Sequence, residues 1–262
     1  MGDFIVEYLQ GTYRVSQIRP GSMCDFTIEC PDMAAMAKAG QFVHIRVPGF
    51  TLRRPISICE VNKEKGTLRL LFDIRGEGTR VMAETKEGDM LDVMGPLGNG
   101  FELLDPSKKA VVVGGGIGVP PMLETAKSYG NNATAILGFR DKEKIVLTED
   151  FEAQGSRVML CTDDGSAGHH GLVTDLLKQR LEEGSVDIVY ACGPKIMLKF
   201  VAKMCEEYGV RCQVSLEERM ACGVGACLGC ATPIRRDDGS ITYLHVCKNG
   251  PVFDAERVVF DE

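Results

Sequence analysis

The sequence contains no tryptophan, only four histidines, and no apolar run near the roughly 20 residues that a membrane helix needs. It also lacks a basic excess, because its net charge is −7, and this argues against binding to a phosphate backbone as its main activity. The N-terminal residues lack the basic start and apolar stretch of a secretory signal. These absences predict a cytoplasmic protein that binds neither nucleic acid nor membranes.

Residues for acid–base catalysis are equally scarce. The histidines are His44, His169, His170 and His245, and no Ser–His–Asp or paired-carboxylate pattern accompanies them. We therefore expect the chain to place and tune cofactors, and not to carry out acid–base catalysis itself.

Cysteine, in contrast, is abundant, with eleven residues unevenly distributed. Seven occur singly between Cys24 and Cys212, as buried and inert thiols often do. The other four lie close together near the C-terminus, spaced Cys-x4-Cys-x2-Cys-x16-Cys, and are Cys222, Cys227, Cys230 and Cys247. This is the plant-type spacing of [2Fe–2S] ligands.

The residues between these cysteines favour the same interpretation. Gly223, Gly225 and Gly229 belong to a small or apolar set that lets the backbone approach a cluster, so that N–H groups can point at sulfur. Structural zinc is the alternative, but zinc sites favour two short cysteine pairs and only one short pair occurs here. We predict a [2Fe–2S] cluster with four cysteine ligands and His245 as a neighbour, not a ligand.

The first part of the chain, residues 1–104, contains short segments that alternate with the two-residue period of half-buried strands. A hairpin turn is predicted at residues 63–66. Several short strands at near-regular spacing predict a small antiparallel β-barrel.

After Pro106 the pattern changes to short apolar strands that alternate with amphipathic helices. Such strands are typical of parallel sheets, and the alternation predicts a doubly wound α/β domain over residues 105–212. One helix is predicted at 172–183 and another at 195–208. An apolar stripe on the second is predicted to pack in the core, and it comprises Met197, Phe200, Val201, Met204 and Tyr208. Residues 213–262 then form a small cluster-binding domain.

A flavin motif opens one of the barrel strands. Arg54-Pro55-Ile56-Ser57 resembles the Arg-x-Tyr-Ser motif of the ferredoxin reductase family. The resemblance implies that Arg54 meets the flavin diphosphate, since a guanidinium fork suits phosphate, and that Ser57 bonds the isoalloxazine ring. Ile56 stands where that family has a stacking tyrosine.

Two further segments strengthen the flavin interpretation. Gly78 and Thr79 precede a predicted helix and form a second candidate phosphate cradle. Backbone groups on the neighbouring strand are expected to meet the flavin ring, and the residues concerned are Leu71, Phe72 and Asp73. Residues 95–101 resemble the turn by which the chain of that family leaves the barrel. Together these features predict bound FAD.

The nucleotide domain begins with a strand, a glycine-rich turn and a helix start at residues 111–121. Glycines let the backbone approach a pyrophosphate, which a helix N-terminus also favours. The glycines concerned are Gly114, Gly115, Gly116 and Gly118. Farther along, Cys192-Gly193-Pro194 resembles the Cys-Gly-Pro segment of the same family, whose cysteine sits near the nicotinamide. A buried core thiol is the alternative for Cys192.

The choice between NAD and NADP depends on charge. Arg140 favours a 2′-phosphate, whereas Asp141, Asp163 and Asp164 favour a free ribose diol. We predict that the chain uses NAD.

Barrel, nucleotide domain and terminal cysteine cluster, in this order over nearly the whole chain, resemble the electron-transfer subunits of B-type dihydroorotate dehydrogenases within the ferredoxin reductase-like superfamily. The most specific segment is residues 215–231. The resemblance implies an oxidoreductase subunit of pyrimidine biosynthesis and an FMN-containing catalytic partner that oxidises dihydroorotate, with two subunits of each kind. Electrons would pass from FMN through [2Fe–2S] and FAD to NAD, because nicotinamide takes hydride whereas the cluster carries one electron.

Three other interpretations stay open. A ferredoxin–NADP reductase-like subunit of a bifurcating transhydrogenase or sulfhydrogenase would share the same three-part order. A redox-sensing regulator or electron carrier would bind the same cofactors without turnover of its own. A zinc-bound interaction module would lack the visible absorption of an iron–sulfur cluster.

Overall fold

The computed structural model describes residues 8–260, so the outermost residues of the first and third predicted domains, 1–7 and 261–262, lie outside the described residues. The first region is a closed antiparallel barrel with the strand order β1-β2-β5-β4-β3-β6. Its strands are β1 (Leu9–Arg19), β2 (Cys24–Glu29), β3 (Phe42–Ile45), β4 (Arg54–Asn62), β5 (Thr67–Phe72) and β6 (Met90–Leu97). The predicted barrel is therefore confirmed.

Alternation of side chains explains the barrel. Inward-facing apolar residues of every strand form one core, with Phe26 and Phe72 in an edge-to-face contact at 5.1 Å between ring centroids. Two short helices cover the barrel, α1 (Pro31–Met36) and α2 (Glu77–Ala83). The prediction included α2 but not α1, whose six residues are too few to show a helical period.

The second region is a parallel sheet with helices on both faces. Its strands are β7 (Ala110–Gly115), β8 (Ala133–Phe139), β9 (Arg157–Thr162), β10 (His169–His170), β11 (Ile188–Cys192) and β12 (Arg211–Ser215). Its helices are α3 (Pro120–Lys127), α4 (Thr148–Ala153), α5 (Val173–Glu182) and α6 (Lys195–Glu207). The first two helices share a core on one face and the last two share a core on the other, which confirms the doubly wound prediction.

The predicted apolar stripe of α6 is partly wrong. Val201 is fully buried, but Phe200 is 52% exposed and Tyr208 is 39% exposed. The face that packs on the sheet runs through Leu198, Val201 and Cys205 instead. Because both stripes have helical spacing, the sequence pattern could not separate the two registers.

The third region is tied closely to the sheet. A hairpin of β13 (Ala231–Arg235) and β14 (Ile241–His245) leads to β15 (Val252–Asp254), which pairs antiparallel with β12 and completes the order β10-β9-β8-β7-β11-β12-β15. Strand β12 crosses the predicted boundary at 212. The division into 1–104, 105–212 and 213–262 stays a prediction.

A buried arginine joins the barrel to the nucleotide domain. Arg69 on β5 contacts the buried Asp25 at 2.7 Å, and it also donates to Asp150 on α4. Glu60 lies 3.8 Å away. The guanidinium thus neutralises carboxylates from both regions where water has little access.

We predict that Arg69→Met lowers the free energy of unfolding by about 3 kcal/mol, because it leaves Asp25 buried with only the more distant Arg19 as a partner. Urea denaturation measures the loss. The control is Lys127→Met, a more exposed cation at the same interface, for which we expect about 1 kcal/mol or less. Equal losses for the two variants would contradict the role given to the buried pair.

Candidate functional site

The hairpin brings the last two predicted cluster ligands together. Cys230 directly precedes β13 and Cys247 closely follows β14, and both thiols are buried. Cys222 and Cys227 lie in the preceding loop with partly exposed side chains. We call residues 222–230 the cluster loop.

The four thiols form two pairs. The side chain of Cys227 lies beside that of Cys222, and the side chain of Cys230 lies beside that of Cys247, without a disulfide in either pair. Within residues 8–260, no group of three or more His, Cys, Asp or Glu side chains is arranged to hold a single metal ion. Two thiol pairs side by side fit a cluster of two irons with four cysteine ligands.

Backbone N–H groups of the cluster loop point at the sulfur atoms. Gly225 N–H donates to Cys247 Sγ at 3.1 Å, and Ala226 N–H donates to Cys222 Sγ at 3.3 Å. Gly225 has φ +77°, and a Cβ there would lie 2.6 Å from the Lys248 side chain. Glycine is therefore required where the loop folds inward to present these donors.

Electrostatics differ between the two pairs. Burial by itself would raise the pKa of Cys222, but the N–H of Val224 and the thiol of Cys227 outweigh it and lower that pKa to about 6. Burial and the adjacent thiol of Cys230 raise the pKa of Cys247 to about 12. The loop alone thus favours the thiolate at Cys222, whereas a thiolate at Cys247 requires a metal cation to displace its proton.

The barrel touches the cluster loop through His44, on β3. Its ring is fully buried, and a Cβ at Gly223 would lie only 2.5 Å from Nδ1. The main chains of Arg53 and Cys222 approach the ring, but neither ring nitrogen reaches hydrogen-bond geometry. Burial, and next the charge of Arg53, lower the pKa of His44 to about 4, so the ring is neutral at pH 7. This contact could not be predicted from the sequence, because a lone histidine in an apolar strand gives no sign of its neighbours.

The turn by which the chain leaves the barrel binds the segment that follows Cys247. Asn99 N–H donates to the Gly250 carbonyl at 2.6 Å, and its side chain donates to the carbonyls of Lys248 and Asn249. A Cβ at Gly98, which has φ +71°, would lie 2.6 Å from the same Gly250 carbonyl. The segment after Cys247 is thus fixed on the barrel by main-chain contacts.

Two features predicted separately for the flavin come together on the barrel. The Arg54 guanidinium lies against the first turn of α2, where a Cβ at Gly78 would be 2.2 Å from Nη2. The guanidinium also lies over the Phe50 ring at 5.0 Å from its centroid. A fixed guanidinium beside a bare backbone fits a phosphate group. We call Arg54 and Gly78 the phosphate cradle.

The other predicted flavin residues have different surroundings. The Thr79 hydroxyl accepts two N–H groups ahead of α2, so it caps that helix. Pro55 and Ser57 stay partly exposed on β4, and Asp73 pairs with Arg75 at 3.5 Å. Three side chains are buried, those of Ile56, Leu71 and Phe72. Only the backbone of these three residues can therefore face a ligand.

A cleft of about 600 Å³ opens at the carboxyl ends of the parallel strands, where open α/β sheets bind their ligands. Gly116, with φ +54°, has open space where a side chain would be, and Gly115 beside it faces the Met197 sulfur. Gly114 and Gly118 instead lie against neighbouring backbone. The glycine turn thus exposes its backbone to a ligand at Gly116, and it lets neighbouring segments pack closely at Gly114 and Gly118.

The predicted Cys192-Gly193-Pro194 segment is divided between core and cleft. Gly193 and Pro194 line the cleft, together with Met197 and Phe200 of α6. Cys192 is buried, and burial raises the pKa of its thiol to about 12. Its thiol is therefore neutral and packs in the core, as the alternative interpretation predicted. Core packing is confirmed for Met197, which packs against the core and also lines the cleft, but it was wrong for Phe200, which is exposed.

Charged residues at the cleft differ from those singled out in the sequence. Arg140 and Asp163 line it, but the Asp141 carboxylate accepts the Glu143 N–H at 3.0 Å and caps a short turn. Glu217 also lines the cleft, and the protein around it raises the pKa of its carboxyl although solvent reaches it. Glu217 was not predicted as a site residue, because no sequence pattern distinguishes it from other surface carboxylates.

None of the helices within residues 8–260 is long and apolar enough to cross a membrane.

Among solved structures, the chain is similar to an NADH-dependent reduced ferredoxin–NADP oxidoreductase described for flavin-based electron bifurcation, with a TM-score of 0.81, 32% identity, and coverage of 100% of this chain and 92% of that chain. A ferredoxin reductase of carbazole 1,9a-dioxygenase shares the fold at 19% identity, with a TM-score of 0.67 and coverage of 79% and 68%.

Residues 217–259 match the iron–sulfur cluster binding domain of dihydroorotate dehydrogenase B. The chain is 48% identical over 223 residues to the dihydroorotate dehydrogenase B (NAD(+)) electron transfer subunit of Caldanaerobacter subterraneus subsp. tengcongensis, which covers 84% of this chain and 87% of that protein. It is 43% identical to the corresponding subunit of Streptococcus mutans, over 88% and 90% of the two chains. The chain belongs to the family of dihydroorotate dehydrogenase B electron transfer subunits.

Proposed function

We propose that this chain connects a one-electron iron–sulfur centre with NAD through bound FAD, as the electron transfer subunit of a dihydroorotate dehydrogenase. The observation that carries the proposal is the junction at His44, where β3 touches the cluster loop and pairs with β4, the strand of the phosphate cradle. FAD, when bound, supplies the exchange between one-electron and hydride chemistry. The chain's own residues hold the cofactors and fix their relative positions.

The residue assignments follow from the surroundings of each site. Cys222, Cys227, Cys230 and Cys247 hold the cluster, the phosphate cradle holds the flavin diphosphate, and Gly115, Gly116, Gly193 and Pro194 receive the dinucleotide. Of the three aspartates that favour a free ribose diol, Asp163 takes the ribose-facing role, because it lines the cleft whereas the Asp141 carboxylate is engaged as a cap. A carboxylate there favours NAD over NADP.

The partner is an FMN-containing catalytic subunit that oxidises dihydroorotate, with two subunits of each kind. Support for its docking position comes from the cluster loop, where Leu228 is 79% exposed between two ligands and Cys222 and Cys227 are partly exposed. A ligand loop at the surface suits electron entry from another subunit. The seven cysteines outside the cluster form no disulfide, which fits a reducing compartment such as the cytoplasm.

A second candidate function has one specific observation in its favour. The similarity to the NADH-dependent reduced ferredoxin–NADP oxidoreductase extends over the whole of this chain. In that case the partner would be a subunit of a bifurcating enzyme in place of an FMN dehydrogenase subunit.

The test of the proposed function is reconstitution with an FMN dihydroorotate dehydrogenase subunit of the same family. We expect a stable complex that contains iron, FAD and FMN and reduces NAD with dihydroorotate. Cys227→Ser should abolish NAD reduction, because the cluster loses a ligand, whereas Cys24→Ser, which changes a thiol outside the site, should retain it. A complex that forms but never reduces NAD with dihydroorotate would overturn the proposal.

A second prediction concerns the phosphate cradle. Arg54→Ala should raise the dissociation constant of FAD about 10- to 100-fold, because a charge-assisted hydrogen bond to phosphate is lost. Equilibrium titration of the apoprotein by flavin fluorescence measures the change. Arg46→Ala is the control, since Arg46 is an exposed arginine near the same strand. This variant should bind FAD with an unchanged dissociation constant. Equal effects of the two changes on the dissociation constant of FAD would show that Arg54 does not bind the flavin diphosphate.

A third prediction concerns nucleotide choice. Asp163→Ser should shift the ratio of kcat/KM for NADH over NADPH by about 10-fold toward NADPH, because a carboxylate no longer repels the 2′-phosphate. Steady-state oxidation of both nucleotides with ferricyanide gives the ratio. Asp164→Ser is the matched control, because the Asp164 carboxylate accepts the Ser166 N–H. An unchanged ratio in Asp163→Ser would show that another residue determines the choice between NADH and NADPH.

A further inference from the structure

We propose that His44 is a positioning residue for the cluster: its Nδ1–H is a hydrogen-bond donor to the group that the cluster loop receives beside Gly223, and it thereby raises the reduction potential of the cluster. The inference rests on the proposed function in one respect, that the four cysteines hold a [2Fe–2S] cluster.

The first observation is an unpartnered polar group in the protein interior. Both ring nitrogens of His44 are fully buried, and neither has a hydrogen-bond partner among the described residues. A buried donor without a partner costs free energy, so it needs a role or a ligand. The ring is in contact with the cluster loop, whose backbone donors and cysteines are arranged to receive an external group.

The second observation is that the loop leaves space for the ring. Gly223 has φ +75°, and a Cβ there would lie 2.5 Å from His44 Nδ1 and 3.1 Å from Cε1. Glycine at this position therefore serves both the turn of the loop and the approach of the imidazole. Nδ1 is the ring nitrogen nearest Gly223, so the inference places the N–H donor at Nδ1.

The third observation is that the backbone of His44 is held in place. Arg53 donates to the His44 carbonyl at 3.2 Å and to the Asp92 carbonyl at 3.2 Å, and it pairs with the Asp92 carboxylate at 2.9 Å. These bonds tie β3, β4 and β6 together around the ring. The backbone of His44 is thus fixed beside the cluster loop, and it cannot move away without breaking the hydrogen bonds of Arg53.

The chemistry follows from charge. One added electron makes a four-thiolate cluster more negative, and N–H donors directed at it favour that state. Gly225 and Ala226 supply such donors from within the loop. His44 adds a further N–H donor from the side of the flavin strand. This donor stabilises the reduced state of the cluster at the junction between the two cofactors.

The experiment uses the full chain with its flavin and cluster, and measures the midpoint potential of the cluster by a mediated titration followed by EPR. His44→Leu should make reduction of the cluster about 10-fold less favourable, the equivalent of about 59 mV for one electron. His44→Asn places an amide N–H near the position of Nδ1 and should keep most of the potential. His44→Gln reaches the position of Nε2 instead and should behave like His44→Leu.

Ile45→Ala is the matched control, since Ile45 is equally buried on β3 and packs in the barrel core. It should lower stability without moving the potential or the EPR g-values. A fully iron-loaded His44→Leu with the potential of the unchanged chain overturns the inference. If that variant loses its cluster, equal potentials for His44→Asn and His44→Gln overturn it in the same way. Absence of iron from the unchanged chain would count against the proposed function instead.

Discussion

Four cysteine sulfurs gathered within one short loop and one hairpin are the constraint on which the rest of the molecule depends. Thiolates at such close range repel one another, so they need metal cations and N–H donors to stay together. The cluster loop supplies donors from Gly225 and Ala226, and it does so only because glycine permits left-handed backbone. The barrel then holds the loop at His44 and the following segment at Asn99. Cluster and flavin strand are thereby fixed relative to each other.

Much of this arrangement could be predicted from sequence because its signals are local. The cysteine spacing identifies the ligands, since it reflects how one short loop wraps a cluster. Alternating apolar residues predicted the barrel strands, and the glycine turn after β7 predicted the start of the nucleotide cleft. Arg54 and Gly78 were assigned to one cofactor separately, and the fold brings them into contact.

What the sequence could not reveal depends on contacts between distant segments. His44 and Gly223 are far apart in the chain, and only barrel closure together with the return of the chain after β12 makes them neighbours. The face of α6 is set by the sheet beneath it, so Phe200 lies exposed at the cleft although its spacing indicated a core position. Glu217 became a cleft residue only because β12 ends there. No local pattern contains such information.

The most direct test of the central claim is the metal and flavin content of the purified chain, prepared without oxygen. Iron and acid-labile sulfide analysis, flavin release and EPR after chemical reduction should be performed on one sample. The account predicts two irons, two sulfides and one FAD per chain, with an S = 1/2 signal on one-electron reduction, as a [2Fe–2S] centre requires. A colourless chain that binds one zinc at these cysteines and releases no flavin would contradict it.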